Sequence, residues 1–447
     1  MGERPLNALL LERANNRTGH ISLSHGSFII TWGGFNPKNK AYYPTNEFIF
    51  LNLETDEWFL RLSNGASPAD CSGTTACVYN DEIYVFGGWH RRTVSIRDFY
   101  SSNIPESSVI IFSTDDIPNL DSGSVSFGFM SNSIWKIGLK SMTWKELSPK
   151  GTPPLRCDKS TSWFFQNKFF IFGGFGPPPT NGTCRPKDSD FTFEEKCTPG
   201  TDNEGCIFGW SNQLITYDIL TNTIDWPICK GSAPSPRAGL ASCIMGEKVY
   251  IFGGRSLNDR KNDLFSLNLR SLLWTQILPN TQEHNHTMPE GRTWHSITKL
   301  ITGKQEGGIL LYGGFDSSHN IINDCWKMDL AIKPLAWQRL RHLEKGARLW
   351  HTMHTLNDNK VIILGGVIGS IVDPELTDHA CPLWKLTVNP KSLQESTLGT
   401  IEENREFLNG GIQSLPYLLK RTIQEGNLNR DQSNLPIPST LSLGDTL

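Results

Sequence analysis

Residues 251–269 read IFGGRSLNDRKNDLFSLNL, an apolar run that enters a glycine pair and is followed by a second strand-like run. The same glycine pair follows a β-rich apolar run at six places in the chain, at spacings of 54, 86, 80, 60 and 52 residues. Self-similarity at such intervals predicts a repeat architecture built from short strands. The six pairs are Gly33-Gly34, Gly87-Gly88, Gly173-Gly174, Gly253-Gly254, Gly313-Gly314 and Gly365-Gly366.

The repeats share features beyond the glycine pair. In five copies a tryptophan opens a further strand, namely Trp58, Trp144, Trp226, Trp274 and Trp337. A turn rich in proline and glycine then leads, in most copies, to an arginine with histidine or another residue three positions later, as in Arg17/His20, Arg292/His295 and Arg348/His351. This pattern resembles the Kelch repeat, and six copies imply a six-bladed β-propeller.

We therefore predict an all-β fold, a six-bladed Kelch β-propeller over residues 1–389. Four-stranded blades cannot bury both faces alone, so radial stacking supplies the core. The sixth copy lacks a tryptophan strand, whereas the run LNALLLE lies just ahead of Arg17, where the other copies place that strand. We expect this N-terminal strand to complete the last blade and close the ring, which would remove exposed sheet edges.

The composition of the chain narrows the classes of function. With 447 residues and a formal net charge of −3, the chain gives no reason to expect a nucleic-acid partner. The first residues contain no signal-peptide core and no apolar run reaches bilayer length, so we expect no membrane association. Ten scattered cysteines without a Cys-x-x-Cys pair favour the cytoplasm, the nucleus or both, and we expect no metal and no cofactor.

The residues directly after the glycine pairs occupy equivalent positions in the repeat. They are Phe35, Trp89, Phe175, Arg255, Phe315 and Val367, so five are apolar and one is a cation. Near the mouth of a propeller axis, aromatic side chains around Arg255, with Arg260 further along its loop, would suit an anion attached to an apolar group. The alternative is a surface ion pair of Arg255 with Asp259 or Asp263. The recurring arginines of the turns are better explained as structural.

Long spacings place extra residues at about 89–131 and 177–209, in the same class of loop as Arg255. Long loops on one face of a rigid scaffold usually serve binding, although tolerated decoration is the alternative. After residue 389 the pattern changes, and residues 390–426 predict two short helices. Their apolar stripe suits either a partner groove or packing on the propeller. Residues 427–447 are polar and contain proline, which predicts a disordered tail.

Together these stretches resemble the Kelch-repeat substrate receptors of cullin-RING ubiquitin ligases, over about residues 15–425. The motifs that carry the resemblance are GGRSLNDRKNDLFSLNL, APSPRAGLAS, GRTWHS, RLWHT and NPKSL with SLPYLL. That family captures substrates by an extreme C-terminus that ends in Gly-Gly. The resemblance implies that Arg255 and Arg260 hold the terminal carboxylate and that Thr293 donates a hydroxyl. It further implies contacts of the degron with Lys159 and Trp210, and pocket walls from Phe35, Phe175, Trp350, Ile371 and Val372.

The resemblance also implies partners for the C-terminal helices. An elongin-binding box would present Leu393, Thr397 and Ile401 to elongin C of the elongin B/elongin C pair. An adjacent cullin box would present Leu415, Pro416, Leu418 and Leu419 to cullin-2 or cullin-5 with its RING partner. Such receptors are not catalytic, and no phosphate loop, nucleophile elbow or His-Glu-x-x-His motif occurs here. The alternative function is a Kelch scaffold that binds an acidic partner without a role in a ligase.

Overall fold

Antiparallel strands make up nearly all the regular structure of the protein, which confirms the predicted all-β fold class. The computed structural model describes residues 6–100, 109–112, 123–179, 191–197, 207–257, 259–281, 287–302, 305–357, 360–369, 376–379 and 383–388. The predicted C-terminal helices and tail, residues 390–447, lie outside these ranges. No helix within them is long and apolar enough to cross a bilayer.

The strands form six antiparallel blades in chain order. Blade 1 contains β1 (Ile21–His25), β2 (Phe28–Trp32), β3 (Glu47–Asn52) and β4 (Trp58–Leu62). Blade 2 contains β6 (Thr75–Tyr79), β7 (Glu82–Phe86), β11 (Ile134–Gly138) and β12 (Trp144–Leu147). Blade 3 contains β13 (Thr161–Phe165), β14 (Lys168–Phe172), β18 (Leu214–Asp218) and β19 (Thr223–Asp225). Trp226 therefore follows its strand instead of opening it.

The second half of the ring repeats this order. Blade 4 contains β20 (Ala241–Met245), β21 (Lys248–Phe252), β22 (Leu264–Asn268) and β23 (Leu273–Leu278). Blade 5 contains β25 (Ser296–Thr302), β26 (Gln305–Asp316), β27 (Ile321–Asp329) and β28 (Trp337–Arg339), and β24 (Arg292–Thr293) pairs with the far end of β26. A short 3-10 helix, Arg341–Leu343, leads to blade 6, which contains β29 (Thr352–Asn357), β30 (Lys360–Leu364) and β33 (Trp384–Thr387).

The first strand of each blade lies innermost. The strands β1, β6, β13, β20, β25 and β29 contact one another in this order, and β29 contacts β1 again, so the ring of six is closed. Between neighbouring blades, large aromatic side chains pack face to face or edge to face. The repeat tryptophans contribute to these layers, with ring centroids of Trp144, Trp274 and Trp337 at 5.2, 5.2 and 5.4 Å from Trp32, Phe172 and Phe252 of the preceding blades. This packing is the physical reason for the tryptophan in the repeat.

The N-terminal run does not form the expected outer strand of the last blade. It is an α-helix, α1 (Leu6–Asn15), whose buried Leu10 and Ala14 pack between Trp58 of blade 1 and Ile362 of blade 6. The prediction of an N-terminal strand was therefore wrong. The run LNALLLERAN consists of strong helix formers without any β-branched residue, so local propensity favours a helix wherever an apolar seam can be covered by either element.

The glycine pairs directly follow the second strand in five blades and lie within β26 in blade 5, and both glycines of every pair have positive φ. In each pair the second N–H donates to a carbonyl of the following blade, as from Gly254 to Arg292 and from Gly366 to Arg17. A Cβ on Gly34 would lie 2.7 Å from the carbonyl oxygen of Thr18. The positive φ and the close approach of a neighbouring carbonyl thus both require glycine. Blade geometry therefore explains the glycine pairs, and no functional role is needed.

The recurring arginines fix the turn that enters a blade to the second and third strands of that blade. Arg237 makes two hydrogen bonds to the Asp263 carboxylate, at 2.6 and 3.0 Å, and one to the Gly253 carbonyl at 3.0 Å. Arg292 bonds both oxygens of Asp324 and the Gly313 carbonyl in the same way. These contacts assign Asp263 to Arg237, and Asp259 lies 3.3 Å from Lys261. The alternative ion pairs for Arg255 are therefore not formed.

The extra residues of the long loops fold into small sheets beside the blades. One sheet contains β5 (Asp70–Ser72), β8 (Trp89–Ser95), β10 (Ser124–Met130) and β9 (Val109–Phe112), with the short helix α2 (Ile96–Tyr100). A second contains β15 (Phe175–Gly176), β17 (Ile207–Ser211) and β16 (Phe193–Cys197), and a third pairs β31 (Val367–Gly369) with β32 (Thr377–His379). All three grow from the end of the ring where the glycine pairs lie.

Candidate binding site at the mouth of the propeller

The six positions after the glycine pairs are structurally equivalent, as their spacing in the sequence indicated. Each pairs with the residue that directly follows the arginine position of the turn, or the cysteine that replaces it. The six pairs are Thr18 with Phe35, Ser72 with Trp89, Asp158 with Phe175, Ala238 with Arg255, Thr293 with Phe315, and Leu349 with Val367. Arg255 is therefore a true exception among equivalent positions.

A second set of equivalent residues surrounds the axis. Gly19, Gly73, Lys159, Gly239, Trp294 and Trp350 all have φ between 55° and 64°. Their backbones form a chain of hydrogen bonds from blade to blade, in which the N–H of Gly73 donates to Gly19, Lys159 to Gly73, Gly239 to Lys159, Trp294 to Gly239 and Trp350 to Trp294. Three of these left-handed positions carry side chains although glycine would be less strained. These side chains lie at the mouth of the axis.

The two predicted anion-binding arginines lie together in this mouth. Arg255 and Arg260 form a backbone bridge, and the Arg255 guanidinium lies 5.7 Å from the centre of a Trp210 ring. Arg260 is buried against Phe315, 4.8 Å from its ring centre, and its Nε has no hydrogen-bond partner. Burial, and next the charge of Arg255, lower the pKa of Arg260. Within the described residues, no carboxylate forms an ion pair with either guanidinium.

A cavity of about 130 Å³ joins several of the predicted residues. Its lining includes five of them, Lys159, Phe175, Trp210, Arg255 and Thr293. Trp350 adjoins this cavity, because its ring stacks on Trp294 at 5.2 Å, and Phe35 in turn lies 6.1 Å from Trp350. The structure therefore brings eight of the ten predicted degron-binding residues to one mouth. Ile371 and Val372 lie outside the described residues, and their assignment stays a prediction.

Two of these side chains already have partners. The Thr293 hydroxyl donates to the Gly239 carbonyl at 3.0 Å, so it would have to turn to donate to a ligand. The Lys159 ammonium forms an ion pair with the Asp158 carboxylate and lies 5.7 Å from a Trp350 ring centre. The two arginines thus remain as the cations of the mouth without an ion-pair partner among the described residues.

Some residues of the site were not predicted from the sequence. Trp294 and Ala238 line the cavity, and the Trp294 indole N–H is buried without a hydrogen-bond partner. The sequence did indicate Trp294, because it occupies the same turn position as the predicted site residues Lys159 and Trp350. Comparison of all six turns would have found it. The predicted partner-binding residues Leu393, Thr397, Ile401, Leu415, Pro416, Leu418 and Leu419 lie outside the described residues.

The side chains of the mouth are suited to holding a ligand. Among the residues that the structure describes, no three His, Cys, Asp or Glu side chains converge as a metal site would require. The site is a small apolar cup with a buried guanidinium, that of Arg260, and a half-buried one, that of Arg255, at one side, which suits a group that is both small and anionic.

The closed ring defines the class, a six-bladed Kelch β-propeller, and a small cavity lies at the mouth of its axis. A model of the KLHDC2/KLHL20/DRC7 Kelch-repeats domain matches residues 19–299 and 199–366, and the chain belongs to this family. It is 28% identical to Kelch domain-containing protein 2 of Bos taurus over 416 residues, which is 92% of this chain and 90% of the relative. It is also 28% identical to human Kelch domain-containing protein 1 over 415 residues, again 92% and 90%. Human Kelch domain-containing protein 3 is 24% identical over 271 residues, 54% of this chain and 61% of that protein.

Proposed function

We propose that this protein is the substrate-recognition subunit of a cullin-RING ubiquitin ligase and captures proteins by a C-terminus that ends in Gly-Gly. Kelch-domain homologues are generally protein-interaction modules without catalysis, and the same role is proposed here. The observation that carries the proposal is the pair Arg255 and Arg260, two cations in an aromatic cup with no ion-pair partner among the described residues. Arg260 is buried and Arg255 is half-buried, and two such cations side by side are unfavourable unless an anion joins them.

The size of the cup favours a small terminal residue. A cavity of about 130 Å³ is well below the 300–1,000 Å³ or so of most small-molecule pockets. Gly239 lies between Thr293 and Trp294, and a Cβ there would come within 2.2 Å of the Thr293 hydroxyl oxygen, so this wall has no free space. A terminal glycine can approach such walls with its backbone, whereas a larger side chain would collide with them.

The direct test compares two peptides that end in Gly-Gly, one with a free carboxylate and one amidated. We expect the acid to bind and the amide to bind at least roughly 30-fold more weakly, since loss of a buried charge-assisted contact typically costs about 2–5 kcal/mol. Isothermal titration calorimetry or fluorescence polarisation with purified protein measures both. A third peptide that ends in Gly-Leu with a free carboxylate tests the size limit. Equal affinities for acid and amide would contradict the proposal.

A second experiment tests the ligase role and excludes a scaffold without that role. We propose that the chain works in the cytoplasm, the nucleus or both, with elongin B, elongin C and cullin-2 or cullin-5. The parent should co-purify with elongins B and C, whereas a Leu393→Ala/Thr397→Ala variant should not. An Arg255→Ala variant is the matched control, because it should retain elongins while losing the peptide. If the parent fails to co-purify with elongins, the scaffold function is favoured.

A further inference from the structure

Buried carboxylates offset most, but not all, of the positive charge around the mouth. Asp158 belongs to the six equivalent positions that pair with the residues after the glycine pairs, and the other five are Thr18, Ser72, Ala238, Thr293 and Leu349. It is the one acid among them, is only 2% exposed, and binds the Lys159 ammonium. One oxygen of its carboxylate has no hydrogen-bond partner, and burial raises the pKa of Asp158. The Asp158 carboxylate therefore neutralises the positive charge of the Lys159 ammonium.

A second acid, Asp316, lies near Arg260 without forming an ion pair. Asp316 follows Phe315, the aromatic residue against which Arg260 packs, and is 7% exposed. Its carboxylate accepts hydrogen bonds from the backbone and side-chain amides of Asn320, at 2.7 and 3.1 Å. Its charge opposes the lowering of the Arg260 pKa that burial and Arg255 cause. Asp316 is thus near enough to offset part of the arginine charge without forming an ion pair.

The other charged side chains near Arg255 and Arg260 leave this net charge unchanged. Asp259 also acts on Arg260, but its carboxylate lies 3.3 Å from the Lys261 ammonium, which offsets its charge. Glu194 is half-buried and is the cross-strand neighbour of Trp210, but its carboxylate accepts an exposed hydrogen bond from the Leu257 N–H at 3.4 Å, where water screens its charge. Around the mouth, the three cations Lys159, Arg255 and Arg260 have two buried carboxylates, those of Asp158 and Asp316, as neighbours. One positive charge is left in excess.

We propose that Asp158 and Asp316 limit the pocket to ligands with a single negative charge. The inference rests on the proposed function and deepens it: one terminal carboxylate neutralises the pocket, and a second acidic group finds no free cation. With the terminal glycine in the cup, the residue directly before Gly-Gly would lie next to it. C-termini with Asp or Glu at that position are therefore excluded as substrates, and those with an uncharged residue are accepted. The physical reason is that a buried charge without a partner is strongly unfavourable.

The test measures the affinities of two free-acid peptides that differ at one position and end in Gln-Gly-Gly and Glu-Gly-Gly. For the parent we expect the Glu peptide to bind about tenfold or more weakly, since repulsion in a poorly solvated site exceeds that in water. This discrimination should shrink as salt is raised from low to high ionic strength. Equal affinities in the parent, or a discrimination independent of salt, would overturn the inference.

Two variants identify the residues responsible. Asp158→Asn and Asp316→Asn each add one positive charge at nearly constant shape, from different blades, and each should reduce the discrimination to about threefold or less. Glu146→Gln is the matched control, because it removes an exposed carboxylate on β12 and should leave the discrimination unchanged. Unchanged discrimination in both folded aspartate variants would also overturn the inference. Thermal unfolding checks folding, and if Asp158→Asn does not fold, Asp316→Asn decides.

Failure of the proposed function gives a different result. In that case the Gln-Gly-Gly acid and its amide bind equally. If the acid is strongly preferred and the Gln and Glu peptides still bind alike, only the charge limit is wrong.

Discussion

Replacement of Arg260 by alanine should abolish binding of a Gly-Gly peptide and leave the fold nearly as stable as before. Arg260 is buried, its Nε lacks a partner, and its pKa is lowered by burial and by Arg255. Its guanidinium therefore contributes little to folding beyond its contact with Phe315, which is worth about 1 kcal/mol. In the complex it would hold a carboxylate, and loss of that contact costs about 2–5 kcal/mol of binding free energy.

Arg237→Ala is the matched control for this prediction. Arg237 is also a buried arginine at the same end of the ring, but it bonds both oxygens of Asp263 and the Gly253 carbonyl. Its removal should lower the free energy of unfolding by about 3–5 kcal/mol, because it leaves a buried carboxylate unpaired. Urea denaturation and peptide titration on both variants separate the two roles. Loss of stability in Arg260→Ala, with peptide binding retained, would assign Arg260 to the structural arginines instead.

The largest effect on stability is expected for Asp324→Ala in blade 5. Asp324 accepts hydrogen bonds from two nitrogens of Arg292 and from the Trp326 indole N–H at 2.7 Å. Burial by itself would raise the pKa of Asp324. These partners nevertheless hold that pKa below its ordinary value, and Arg292 contributes most. Removal of the carboxylate leaves the fully buried Arg292 guanidinium without its anion. We expect a loss of about 3–5 kcal/mol in the free energy of unfolding.

Equilibrium urea unfolding followed by tryptophan fluorescence measures this loss. The control replaces both partners, as Arg292→Met/Asp324→Leu, which leaves no buried charge unpaired and should be less destabilising than Asp324→Ala alone. If the single variant loses less than about 1 kcal/mol, the bidentate pair is not the contact that holds blade 5.

The sequence predicted most of the ring and part of the site. The glycine pairs, the repeat tryptophans and the turn arginines recur because every blade meets the same packing problem, so pattern alone identifies them. The same comparison marked Arg255 as an exception. It did not find the helix α1, because the run LNALLLE was assigned by its place in the repeat although its residues favour a helix. Trp294 was missed because the turns were compared only at the arginine position and at the position three residues later.

By itself, the sequence determined the number of blades, their order and the place where one cation breaks the symmetry of six equivalent positions. Those properties follow from short-range patterns, which each repeat carries in full. Only the tertiary structure decided which acid neutralises which cation: Asp263 pairs with Arg237, Asp158 with Lys159, and Arg255 and Arg260 are left without an ion-pair partner among the described residues. Charges interact through distances of a few ångströms, and residues from different blades reach those distances only when the ring closes.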